Sequence, residues 1–79
     1  MVQNNTVPLT ATKVGESVRL VTIDAAEKMV QRLAILGMTP GVAMTVVQDA
    51  HGTLVLDLRG SRLALGRRLT KHVYVEPFP

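Results

Sequence analysis

A chain of 79 residues with 47% hydrophobic and 19% charged side chains has room for one small domain. A core of that size supplies only a few kcal/mol, so a two-domain enzyme with a deep substrate cleft is excluded. Zero cysteines remove a disulfide scaffold, a zinc knuckle, an iron–sulfur site and a thiol nucleophile together, and fit a reducing compartment.

Residues 1–8 are polar up to Pro8 and read as a flexible N-terminal tail. They lack a basic stretch followed by an apolar one, so no signal peptide is predicted. Gly15-Glu16-Ser17 reads as a turn, and the β-branched run Val18 to Ile23 as a strand. Asp24 is placed to cap a helix, with Glu27 at the capping-box spacing. Ala26, Met29, Val30, Leu33 and Leu36 then recur at the three-and-four spacing of one apolar stripe. Gly37 is the predicted stop, with Met38 placed to touch Leu33. Ile35 breaks the stripe, pointing to the polar side with Lys28, Gln31 and Arg32. It is therefore a candidate partner contact.

Thr39-Pro40-Gly41 has the signature of a type II turn. Val42 to Gln48 and Thr53 to Leu58 read as strands joined by a hairpin loop, Asp49 to Gly52. In the second, Leu54, Leu56 and Leu58 alternate with Thr53, Val55 and Asp57, as a half-buried strand requires. Arg59-Gly60 turns the chain into Ser61 to Leu65, residues 66–71 make one tight turn, and His72 to Val75 closes the domain. Five short strands and one early helix predict a mainly β fold, a small antiparallel sheet curled into a partly open barrel. The domain spans residues 9–76, and 77–79 form a C-terminal tail.

Charge is unevenly distributed. Arg59, Arg62, Arg67, Arg68 and Lys71 lie between residues 58 and 75, a stretch with no acid. Such a segment suits an acidic or polyanionic partner. Nucleic acid is the first polyanion to consider at a pI near 10. Small barrels that bind single strands stack bases on aromatic platforms, and here Tyr74 and Phe78 are the only aromatics. That shortage argues against nucleic acid and against a proline-rich peptide groove alike.

Catalytic residues are not apparent. The carboxylates stand singly or have capping duties, and Ser17 and Ser61 lack a nucleophile elbow. No glycine-rich phosphate loop is present, and the longest apolar runs, such as 33–36, fall far short of the roughly 20 residues a membrane span needs. His51, with Asp49 two residues earlier, and His72 are the candidate metal ligands, sufficient for a weak site at most. Composition and pattern thus predict a binding module rather than an enzyme.

Three segments carry a resemblance to a known family. They are residues 31–41 (Gln-Arg-Leu-Ala-Ile-Leu-Gly-Met-Thr-Pro-Gly) with Val46-Val47, residues 59–67 (Arg-Gly-Ser-Arg-Leu-Ala-Leu-Gly-Arg), and Val73-Tyr74-Val75. Together they resemble the FeoA family: ferrous iron transport protein A and the related C-terminal domains of iron-dependent metalloregulators. The resemblance covers residues 9–76 and implies an SH3-like barrel with a helix inserted after the first strand. It also implies a cytoplasmic accessory role beside FeoB, the membrane transporter of Fe(II). The motif residues are core and turn positions, so they speak to shape more than to mechanism. Where family members often carry an acid and an alanine before the last strand, this chain has Arg68-Leu69-Thr70-Lys71. Arg67, Arg68 and Lys71, with Ile35, are accordingly the candidate contacts to the transporter's cytoplasmic portion. A module binding Fe(II) or another divalent transition metal through His51 or His72 is the alternative. Open strand edges of such barrels also favour self-association, so a homo-oligomer fits the sequence.

Overall fold

The computed structural model describes residues 6–78. Six strands form one antiparallel sheet: β1 (Val7–Pro8), β2 (Ser17–Ile23), β3 (Ala43–Ala50), β4 (Thr53–Leu58), β5 (Ser61–Leu65) and β6 (Val73–Pro77). Their order across the sheet is β1-β6-β2-β3-β4-β5, so β1 and β5 are its edges. Helix α1 (Glu27–Ile35) lies between β2 and β3, and the one-turn helix α2 (Arg67–Thr70) between β5 and β6. The mainly β, partly open barrel expected from sequence is present, with six strands rather than five.

Curling comes from two irregularities. The register slips between Leu20 and Thr22 in β2, and between Val46 and Gln48 in β3. Each bulge adds a residue to one strand and sharpens the twist, so the sheet wraps around its own apolar face. Alternation places Val18 and Leu20 of β2, Met44 and Val46 of β3, and Leu54, Leu56 and Leu58 of β4 on that face. Leu65 of β5, Val73 and Val75 of β6, Leu33 of α1, Leu9 and Met38 complete the core, with Leu63 of β5 packed partly against it.

Two hairpins fix the register of β3, β4 and β5. Ala50 pairs with Thr53, so the loop is only His51-Gly52, and Leu58 pairs with Ser61 around Arg59-Gly60. All four loop residues have positive φ, at 54° and 88° in one loop and 57° and 93° in the other. That conformation matches the twist of the flanking strands. Asp49 and Ala50, expected in a four-residue loop, belong to the ladder, opposite Leu54 and Thr53. Asp57 secures the second turn, its Oδ1 accepting the Gly60 N–H at 2.7 Å.

Helix α1 starts later than expected. Its N-cap is Ala26, and no side chain caps it. Asp24 is already committed elsewhere, donating its N–H to the His72 carbonyl at 2.8 Å. The bond prolongs the β2–β6 ladder past Ile23, so the chain can enter the helix only after Ala25. The stop is as predicted. Gly37, at φ 101°, donates to Ala34 O at 3.0 Å, and Met38 donates to Leu33 O at 2.9 Å. These are the paired bonds of a Schellman motif. Leu36 departs from expectation: it is 54% exposed rather than core. It occupies the C-cap, where the chain has already left the helical period. The Thr39-Pro40-Gly41 turn closes through a Val42 N–H to Thr39 O bond of 3.0 Å, with Gly41 at φ 93°.

Strand pairing reaches residues 7–8 and 77, next to the ends of the described residues. Val7 and Pro8 pair with Val75 and Tyr74, and Leu9 is fully buried in a short 3₁₀ turn over Leu9–Ala11. Proline is tolerated in β1 because that strand is a sheet edge. Pro77 pairs with Val18, Phe78 donates to Ser17 O at 3.1 Å, and the Arg19 guanidinium lies 4.7 Å from the Phe78 ring centroid. Residues 1–5 and Pro79 lie outside the described residues.

Candidate docking surface

Four cationic or apolar positions were singled out by sequence as partner contacts, and all four side chains are on the surface. Ile35, the last residue of α1, is 84% exposed. Beside it Leu36 borders an open concavity of about 560 Å³, where the end of α1 meets the Thr39–Val42 turn and the β4–β5 hairpin. Pro40, Leu58, Arg59 and Ser61 form its far walls. The concavity arises because the Schellman stop turns the backbone sharply and leaves the helix's final apolar residues without a neighbour.

Arg67, Arg68 and Lys71 are exposed on and just after α2. None of them lines Ile35's concavity. Arg67 shares a cavity of about 90 Å³ with Thr10, Asp49, Gly52, Leu54 and Thr70, whereas Arg68 shares one of about 370 Å³ with Asp24, Met29, Leu69 and His72. Neither has a residue in common with the concavity beside Ile35. The expected site therefore divides into a basic one-turn helix and a separate notch of mixed lining beside Ile35 and Leu36. None of Arg59, Arg62, Arg67, Arg68 and Lys71 has an ion-pair partner among the described residues. Their charge is available to another molecule.

His51 sits exposed in the β3–β4 turn, and His72 is half-buried in the turn just before β6. They line no common concavity, and among the described residues no three His, Cys, Asp or Glu side chains cluster to hold a metal ion. Of the two serines, Ser17 lies in hydrogen-bond reach of the Thr45 hydroxyl at 3.2 Å, and Ser61 opens β5.

Two features escaped the sequence. One is Thr70, fully buried with a hydroxyl that has no hydrogen-bond partner. The other is the free edge of β5, which follows from the strand order. The Arg59-Gly60 turn signalled that β5 follows β4. Nothing local signalled that β6 would return to β2 and leave β5 uncovered.

The comparisons with known proteins agree with this architecture. The family model described as "FeoA domain" matches residues 7–77. The Methanocaldococcus jannaschii protein named "Putative Fe(2+) transport protein A" is 35% identical over 69 residues, 87% of this chain and 84% of that protein. A crystal structure of an iron uptake regulatory protein, FeoA, superposes with a TM-score of 0.83 at 28% identity, covering 92% of this chain and 99% of that one. At 16% identity, a manganese-dependent transcriptional repressor shares the fold with a TM-score of 0.87, over 98% of this chain and 44% of the repressor. With its family model spanning nearly the whole sheet from β1 to β6, the chain belongs to the FeoA family.

Proposed function

We propose that this protein is a cytoplasmic accessory of ferrous iron uptake that acts by contact with the cytoplasmic portion of a FeoB-type Fe(II) transporter. Family membership supports the role in iron uptake. The observation that carries the contact mechanism is the set of five unpaired cations between residues 58 and 75. Three of them, Arg67, Arg68 and Lys71, crowd onto or beside α2. A one-turn helix between β5 and β6 fixes the backbone from which these side chains project. No helix among the described residues is long and apolar enough to cross a membrane.

Exposed charges of this kind act mainly on association rate and are screened by salt. The test is the affinity for the transporter's isolated cytoplasmic portion as salt rises from about 0.1 M to about 1 M, across which the Debye length falls from ~10 Å to ~3 Å. Affinity should fall steeply for the native protein. For Arg67→Glu/Arg68→Glu it should start about tenfold lower and change less with salt. Binding indifferent to both treatments rejects the mechanism.

A further inference from the structure

β5 ends the sheet with nothing paired on its outer side. Its hydrogen-bonding groups can be assigned from the hairpin. In a two-residue hairpin the residues flanking the loop exchange both backbone bonds, and pairing then alternates along the ladder. Leu58–Ser61, Leu56–Leu63 and Leu54–Leu65 are therefore the bonded pairs. The N–H and C=O groups of Arg62 and Ala64 point off the sheet.

Side chains along this edge are sorted by face. Leu63 shares the inner face with Leu56 and Leu65 and is only partly buried, whereas Leu65 is buried in the core. Arg62 and Ala64 stand on the outer face, both exposed. At the start of β5, Ser61 and Arg59 border the concavity beside Ile35 and Leu36. An incoming strand would meet backbone partners at Arg62 and Ala64, an apolar neighbour at Leu63, cations at Arg59 and Arg62, and at its end the notch that Ile35 and Leu36 border.

We propose that the β5 edge and the adjoining Ile35–Leu36 notch take an extended acidic segment of a partner protein as an added antiparallel strand. The inference rests on the partner-contact reading above and gives it a second, structurally distinct docking element. Charge selects the occupant. A lone arginine on a short edge strand discourages pairing with another basic edge. A second copy pairing about Leu63 would set its own Arg62 diagonally across the same face, at about 7–8 Å. An acidic strand meets attraction at that position instead: Asp57, across the ladder from Arg62, lies one strand further in and its Oδ1 accepts the Gly60 N–H. The favoured segment alternates apolar residues, which cover Leu63, with Glu or Asp, which face Arg62. Backbone bonds would supply affinity and the alternating side chains specificity.

The probe is a capped peptide of alternating Glu and Val, slightly longer than β5, titrated into the ¹⁵N-labelled full chain. The amides of Arg62 and Ala64 should gain protection from exchange, with shifts extending to Leu63, Ile35 and Leu36. Arg62→Glu, an exposed substitution, should weaken binding about tenfold, and the same peptide N-methylated at alternate nitrogens should not bind. The proposal is overturned if the N-methylated peptide binds equally well, or if shifts centre on Arg67–Lys71 without protection in β5. It is equally overturned if the β5 amides are already protected in a peptide-free dimer. Failure here leaves the salt dependence of transporter binding untouched, and failure of that salt dependence leaves these amide signals untouched, so the two readings separate.

Discussion

Thr70 is buried with its hydroxyl unpartnered, at the wall of the cavity it shares with Thr10, Asp49 and Arg67. Leaving such a group unsatisfied costs about 1–3 kcal/mol, whereas an apolar group of the same shape incurs no such cost. Thr70→Val should therefore raise stability by about 1 kcal/mol, a rise of roughly 4–8 °C in Tm for a domain of this size. Thermal denaturation decides it. A fall of similar size would mean that the hydroxyl reaches a partner through the cavity. At this scale the sequence was most legible where one residue type alone satisfies the backbone. Gly37 and the Pro40-Gly41 pair were readable because a left-handed stop and a type II turn each demand them. Thr70 was not readable, since the burial of one hydroxyl depends on what the remote Leu9–Ala11 turn and β4 pack against α2.

At the scale of elements, α1 shows a local rule losing to a tertiary one. Asp24 and Glu27 have capping-box spacing, yet Asp24's backbone completes the β2–β6 ladder and Ala26 takes the cap. A working N-cap is worth about 1 kcal/mol. Asp24→Ala should accordingly change stability by less than about 0.5 kcal/mol, as for other exposed sites, measured by urea denaturation. A loss of a full kcal/mol or more would restore the capping role. β4 and β5 were read to the residue because alternation and a two-residue turn are both local signals. β1 was missed for the opposite reason: two residues, one of them proline, make a strand only because β6 offers them an edge. The candidate site suffered likewise. Ile35's exposure followed from helical geometry, but its separation from the α2 cations depends on the sheet order, which no periodicity encodes.

For the whole molecule, a net charge of +3 conceals five cations and no acid between residues 58 and 75, set against four cations and six acids in the rest of the chain. The fold turns that asymmetry into placement. α2 carries one group of cations and the β4–β5 turn another, each beside its own concavity. A small curled sheet with an open edge and charges free of internal partners is suited to holding another macromolecule.

The most direct measurement of this account is Fe(II) uptake by cells making a FeoB-type transporter alone, with the native protein, or with Arg67→Glu/Arg68→Glu at matched folded levels. Uptake should depart from the transporter-alone rate with the native protein and return to it with the variant. An identical effect from native protein and variant would contradict the claim that unpaired cations on α2 mediate the contact.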